Sequence, residues 1–433
     1  MKILLIKSKD RLNQAKKSCH LYKLTSLIAI LIILMVPSVF SQGMSSARSV
    51  ALGSASTALA TGIDAARFNP ANLGLKSHQS NELEILGFGA NISNNAFTLG
   101  DYNKYTGAFL TGDDKADILN KVPNSGLKLT AEADASSMAL SQGPFVFAIS
   151  GTGLADINLN KDILELVLNG NTYADTIDIT GSYSEAVGMI SASVSYGKSI
   201  YKSGTRELAI GASAKYLYGL GVEKVVDMQG MAATYAAGFA GEGKLIARTA
   251  TGGTGYALDI GAALKLNNDY TIGARIKNFI STFTWNQDTK EHGYIFNFDT
   301  MTVDNMDADY IVSDDYSKPI GNFSTNLPST MNIGIANTSG DFLWAVDWEQ
   351  GFRSTIGATT KPRLSMGVEW TPIKTIPLRS GFSTGGRQNT SFSFGSGFNL
   401  PLFFIDYAVV TGGSLSGYST KGINFALTTG LHF

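Results

Sequence analysis

Gly422 to Phe433 reads GINFALTTGLHF. In an extended chain Ile423, Phe425, Leu427, Leu431 and Phe433 fall on one side, and Asn424, Ala426, Thr428 and His432 on the other. A strand divided in this way needs an apolar medium on one face, and water or paired polar groups on the other. The same division recurs upstream. Leu127, Leu129, Ala131, Ala133 and Ala135 oppose Lys128, Thr130, Glu132 and Asp134. In Arg206 to Gly221, Leu208, Ile210, Ala212, Ala214, Tyr216, Tyr218 and Leu220 share a side. Tyr256, Leu258, Ile260, Ala262 and Leu264 oppose Asp259 and Lys265, and Ile272, Ala274 and Ile276 oppose Arg275 and Lys277. Phe342, Trp344, Val346 and Trp348 oppose Asp347 and Glu349; Leu364, Met366, Val368 and Trp370 oppose Arg363, Ser365 and Glu369.

Two packed soluble sheets would also alternate, but these segments often run to ten residues or more, against about five or six in a typical strand. Their apolar faces carry Tyr, Trp and Phe near the strand ends, where a membrane interface would lie. Backbone groups inside a bilayer must all be paired, so a sheet there has to close on itself. The expected fold is therefore all-β: a closed antiparallel transmembrane β-barrel cut from roughly fifteen to eighteen strand-like segments. Bulk properties agree. The 433 residues include only 16% charged residues, 47 Gly and 10 Pro, and the formal net charge is -1. Mean hydropathy is +0.06, far below that of a bundle of membrane helices. Without excess Lys and Arg there is no footprint for nucleic acid.

An export signal precedes the barrel. Lys2, Lys7, Lys9, Arg11, Lys16, Lys17 and Lys23 form a basic region, followed by the apolar run LIAILIILMV from Leu27 to Val36. The run is half the length that a spanning helix needs, roughly 20 residues. Pro37 and the small-residue site Val39-Phe40-Ser41 complete the pattern of a secretory signal peptide, with Gln42 as the first mature residue. Cys19, the only cysteine, would be removed with it, leaving no disulfide or thiol chemistry. The expected organisation is a signal peptide over 1–41, a Gly/Ala-rich segment over 42–80 and the barrel over 81–433.

Between the strands, DDKADILNKV (Asp113–Val122) and KDILELVL (Lys161–Leu168) read as short loop helices with acidic starts. Met228 to Gly241 reads as a packed loop or poorly patterned strand, Asn297 to Pro319 as a long external loop, and Gly252-Gly253-Thr254-Gly255 as a turn.

The stretch Ala47 to Gly74, ARSVALGSASTALATGIDAARFNPANLG, is dominated by small residues that permit close packing and ends in a turn at Asn69-Pro70. Gly53, Ala55, Ala58, Asn69, Pro70, Ala71 and Leu73 resemble the opening of the FadL/TodX-like outer-membrane barrels and their PorV-type relatives of type IX secretion. Asn81 to Gly170 looks closer still to an uncharacterised family of such barrels from the Bacteroidota and allied phyla. The resemblance implies fourteen strands, an N-terminal plug and a place in the cell outer membrane. It also implies one of two roles: a channel for hydrophobic or small molecules, as in FadL, or a barrel that serves a secretion partner, as in PorV. The terminal strand, with Leu431 and Phe433, resembles the signal by which outer-membrane barrels engage the barrel-assembly machinery.

No catalytic, metal or cofactor constellation is visible. His20, His78, His292 and His432 have no metal-ligand spacing, and GxSxG, Walker A and HExxH patterns do not occur. Asp304, Asp307, Asp309, Asp314 and Asp315 cluster without the spacing of a calcium loop. The residues expected to face the lumen mix both signs, which suits a narrow or gated path over a wide ion-selective pore. Three functions compete: a plugged channel, a non-transport scaffold, and a soluble exported β-protein.

Overall fold

The computed structural model of the chain describes residues 44–170, 176–301, 311–387 and 389–433; the expected presequence through Ser41, and Gln42 after it, lie outside them. The first strand, β1 (Ser80–Asn94), is followed by β2 (Leu127–Gly143), β3 (Phe145–Leu159), the short β4 (Thr176–Asp178), β5 (Tyr183–Ser203) and β6 (Arg206–Tyr235). Next come β7 (Gly238–Ala250), β8 (Gly252–Lys265), β9 (Tyr270–Gln287), β10 (Lys290–Met301), β11 (Ile311–Pro319) and β12 (Phe323–Ser324). The last seven are β13 (Thr330–Ser339), β14 (Phe342–Gly351), β15 (Arg363–Ile373), β16 (Ile376–Gly385), β17 (Ser391–Asn399), β18 (Phe403–Gly412) and β19 (Gly422–His432).

Fourteen of these strands form a closed ring with every neighbour antiparallel: β1, β2, β3, β5, β6, β8, β9 and β13 to β19. The last strand shuts the ring on the first, with Phe425 opposite Ala90 and Leu431 opposite Leu83. Closure leaves no open sheet edge in the wall, as a bilayer demands. Short turns, such as Gly204-Thr205 and Gly340-Asp341, gather at one end of the barrel. Gly204 and Gly340 adopt positive φ there, which a two-residue turn between twisted strands requires. The other end carries the long connections, the arrangement in which short turns face the periplasm.

The strand faces follow the alternation in the sequence. Ile210, Tyr216, Tyr218 and Leu220 point outward and are exposed, as are Leu364, Met366, Val368 and Trp370, and Ile423 and Phe425 on β19. Between them Asp134, Lys215, Asp259, Arg275 and Asp347 point inward and are buried. An exposed apolar belt around a polar interior is the inverse of a soluble fold, and it places lipid against the outer face.

Among the described residues five short α-helices lie outside the wall strands: α1 (Ala47–Ala51), α2 (Gly62–Phe68), α3 (Leu99–Tyr105), α4 (Gly112–Lys121) and α5 (Lys161–Asn169). Thr98 and Thr111 cap α3 and α4, each exchanging bonds with an aspartate three residues on. Two stretches depart from the sequence expectations, and a third, Met228 to Gly241, takes the strand form of its two expected readings. Gly252 to Gly255 opens β8 and makes no turn; Gly253 and Gly255 leave room for the Phe283 ring. Met228 to Gly241 forms the tip of a regular hairpin in which Met228 pairs with Leu245 and Tyr235 with Gly238. Asn297 to Pro319 is not wholly loop, since β10 and β11 pair along its flanks. In these last two cases the apolar alternation is weak because β6, β7, β10 and β11 project beyond the wall as an arm, where neither face is fixed by lipid. Asp304, Asp307 and Asp309 lie outside the described residues, and Asp314 and Asp315 sit on β11.

Candidate functional site

Residues 44–79 enter the ring and fill its lower lumen. The proof is in the contacts: one segment touches strands on opposite sides of a closed wall, which is possible only from inside. A Cβ added at Gly89 of β1 would overlap Met44; at Gly211 of β6, the Pro70 carbonyl; at Gly273 of β9, the Thr57 carbonyl; at Gly381 of β16, Gly53. Many of these small wall residues are cross-strand partners, for example Gly197 with Gly211, Gly211 with Gly261, Gly367 with Gly381, and Ala408 with Ala426. They make an inner belt with no side chain larger than a methyl group, and the segment seats its backbone on it. Against the belt pack Ala47, Val50 and Ala51 near Ala408 and Ala426, and Leu52, Ala55, Ala58 and Leu59 near Ala336 and Ala345.

The motif at Asn69 lies at the centre of this contact. Asn69 is fully buried; its Nδ2 donates to the Thr57 carbonyl (3.2 Å) and to the Ala262 carbonyl on β8 (3.0 Å), while its Oδ1 accepts from Ala71 N (3.1 Å). Its extended backbone is what a residue before proline prefers, and Pro70 then starts a 3-10 turn through Gly74. Ala71 and Leu73 are fully buried, Ala71 beside Ala209 and Ala263 of the wall. Asn72, which the sequence did not single out, donates to the carbonyls of Thr57 (3.3 Å) and Ala60 (2.9 Å). Leu431 sits in β19 between Leu83 and Phe403, and the Phe433 amide donates to Asn81 O (3.1 Å) with its ring exposed.

Charged links tie the segment to the wall. Arg48 makes a bidentate pair with Glu369 (2.9 and 3.0 Å), and Glu369 also accepts from Arg379, which bonds Asp406 at 2.5 Å. Arg67 pairs with Glu84 at 2.5 Å, and Arg275 donates to the Arg67 carbonyl. Asp347 accepts from the amides of Ser56 and Thr57, both at 2.8 Å, and Asp134 accepts from Ser45 N at 3.2 Å. Asp259 is held by both Lys215 (2.7 Å) and Arg275. Of these groups, Arg48, Arg67, Glu84, Arg379 and Asp406 were not legible as lumen residues, because neither the segment nor strands β1, β16 and β18 have a regular charged face.

Towards the long connections the lumen divides. One side is dry: the fully buried Phe283 and Trp285 stack edge-on (centroids 4.8 Å) among Leu154, Met189, Leu217 and Ile356, with Trp285 Nε1 donating to Thr325 Oγ1 at 2.8 Å. Gly219 admits the Trp285 ring. The other side holds a polar cavity of about 180 Å³ whose floor is Gly53, Ser54 and Thr57 of the segment and whose walls include Glu132, Lys277, Glu349, Arg363 and Arg387. Among the described residues no group of three His, Cys, Asp or Glu side chains is placed to share a metal ion.

With this geometry in view, comparison with solved structures is informative. The toluene transporter TbuX of Ralstonia pickettii superposes with a TM-score of 0.53 at 14% identity, covering 92% of this chain and 100% of that one. The fold is that of these transporter barrels. The toluene transporter TodX of Pseudomonas putida gives 0.53 at 12% identity over 89% of this chain and 98% of its own. A FadL homologue of Pseudomonas aeruginosa gives 0.51 at 11% identity over 92% and 100%. At such identities the likeness is one of fold. In sequence, residues 78–225 match a family of unknown function, DUF5723, and no curated protein matches the chain.

Proposed function

We propose that the chain is an exported outer-membrane barrel that passes small molecules when its luminal segment, acting as a plug, yields. The observation that carries this is how the lumen is closed. It is shut by a separate N-terminal segment seated on a belt of Gly and Ala and fixed by discrete links, each of which can be broken and remade. A barrel sealed for good would more simply be filled by wall side chains. The toluene transporters of the same fold support a transport role. On this reading the signal peptide is cut between Ser41 and Gln42, and Leu431 and Phe433 present the last strand to the barrel-assembly machinery.

Two second readings each have an observation in favour. Hydrophobic cargo is favoured by the apolar cluster around Phe283 and Trp285, which would have to part to admit it. A scaffold or secretion partner is favoured by the arm of β6, β7, β10 and β11, which projects beyond the wall and offers a surface unrelated to the lumen.

The test is solute flux into proteoliposomes after outer-membrane fractionation. Heat-modifiable protein in the outer membrane, with entry of small solutes and exclusion of large ones, is the expected result. A barrel that folds, shifts on heating and passes no solute of any class would overturn the channel reading and leave the scaffold.

A further inference from the structure

The polar cavity above the plug is lined by charged groups that make no direct ion pair, and this bears on what enters it. Two of its cations are spoken for. Arg275 pairs with Asp259, and Arg387 pairs with Glu132 (3.1 Å) and Asp156 (2.8 Å). Two are not. Among the described residues the Arg363 guanidinium donates only to neutral oxygens, Gly53 O (2.8 Å) and Ser383 Oγ (3.3 Å), and the ammonium of Lys277, half-buried on β9, makes no hydrogen bond or direct ion pair. One carboxylate likewise makes no direct ion pair: among the described residues Glu349 accepts a side-chain hydrogen bond only from the Asn332 amide (2.9 Å).

These groups are arranged in register. Arg275, Asn332, Glu349 and Arg363 are successive cross-strand partners on β9, β13, β14 and β15, with Lys277 two residues further along β9 on the same face. Side chains of direct cross-strand partners are close neighbours. Around them Ser393 Oγ, Asn424 Oδ1 and the Nε atoms of Arg275 and Arg387 are buried in the same cavity with no hydrogen-bond partner. A volume of about 180 Å³ would admit a monoaromatic hydrocarbon, since an apolar cavity of roughly 150 Å³ takes up benzene. The lining rejects one, because a hydrocarbon would strip water from two cations and a carboxylate and return no partner.

We propose that this cavity binds a small zwitterion of amino-acid size, its carboxylate on Arg363 and Lys277 and its ammonium on Glu349. The inference rests on the channel reading and names its substrate class. It also supplies a link to the plug. A carboxylate that takes the Arg363 guanidinium competes with the Gly53 carbonyl, one of the plug's ties to β15.

The experiment uses the full chain in detergent and four probes of similar size: L-leucine, 4-methylpentanoate, isoamylamine and toluene, each followed by titration calorimetry and then by proteoliposome flux. L-leucine should bind at least tenfold more tightly than either singly charged analogue, and toluene should give no saturable heat. Arg363→Gln should weaken L-leucine at least tenfold. Glu349→Gln should remove the preference for L-leucine over 4-methylpentanoate while leaving 4-methylpentanoate binding intact, a change of selectivity that mere loosening of the wall would not produce. Saturable toluene binding without L-leucine binding, equal binding of all four probes, or no binding of any would overturn the assignment. L-leucine bound but not passed would leave the site standing and defeat the channel. Unselective flux of all four would do the reverse.

Discussion

Replacing Asn69 with alanine removes three hydrogen bonds and no backbone atom. The bonds run to Thr57 O, Ala262 O and Ala71 N at 3.2, 3.0 and 3.1 Å, in a place with no solvent exposure. A buried bond between neutral groups is worth about 1 kcal/mol net, so the substitution should cost about 3 kcal/mol. That cost falls on the seating of the plug and not on the ladder of the barrel, because only the Ala262 carbonyl belongs to the wall. It corresponds to an increase of about a hundredfold in the open population of the segment. Native-state hydrogen exchange reads this directly. The amides of Ala71, Asn72 and Leu75, which bond to Asn69 and Asn72 in the turn, should exchange about a hundredfold faster, while amides in the β1–β19 ladder keep their rates. Acceleration below about threefold would show that the asparagine does not hold the turn. Equal acceleration throughout the barrel would show that plug and wall open as one unit.

Other perturbations test separate parts of the structure. Gly211→Val puts a side chain on the Pro70 carbonyl, so the barrel should still form and shift on heating while the N-terminal segment becomes open to protease. Arg379→Ala strands Asp406 in the lumen and leaves Glu369 with Arg48 alone; loss of one member of a buried ion cluster costs about 3 kcal/mol or more, visible as a lower unfolding temperature in detergent. Phe425→Arg places a charge on the lipid face of the closing strand, where it costs about 2–4 kcal/mol at mid-membrane, and should reduce the heat-modifiable fraction; Asn424→Ser on the opposite face should not. In the loop between β1 and β2, partial burial would raise the Asp101 carboxyl, but Lys121 at 2.6 Å and the Thr98 cap hold it down to about 2. Its contribution is therefore present above the ordinary carboxylate value and lost as pH falls through about 2, so protection of the α3 amides should persist at pH 4 and fade below pH 2.

The barrel was legible because lipid imposes a period of two on every wall strand that it touches. The faces of β2, β6, β8, β14, β15 and β19 could be read residue by residue, and the short helices α4 and α5 announced themselves by acidic first turns. The same physics explains what was not legible. The arm of β6, β7, β10 and β11 projects beyond the wall, loses its apolar face, and so reads as loop or poorly patterned strand. Gly252 to Gly255 reads as a turn because the aromatic ring it accommodates, that of Phe283, is about thirty residues away in sequence. The Asn69-Pro70 turn could be found, but its partners could not: Ala262 is an ordinary wall alanine, and nothing local marks it as the acceptor. The lumen charges on β2, β9, β14 and β15 were visible as an alternating face, yet which of them are neutralised depends on the segment threaded between them. That is why Lys277, Glu349 and Arg363 emerge as a group only in three dimensions.

The most direct test of a barrel closed by its own N-terminal segment is conductance in planar bilayers, with the complete chain and a chain lacking residues 44–79 compared after each has been shown to be heat-modifiable. The complete chain should be silent or show only brief, small openings, and the truncated chain should give a large steady current. A large steady current from the complete chain, or an unchanged silent trace after truncation, would contradict the closure of the lumen by this segment.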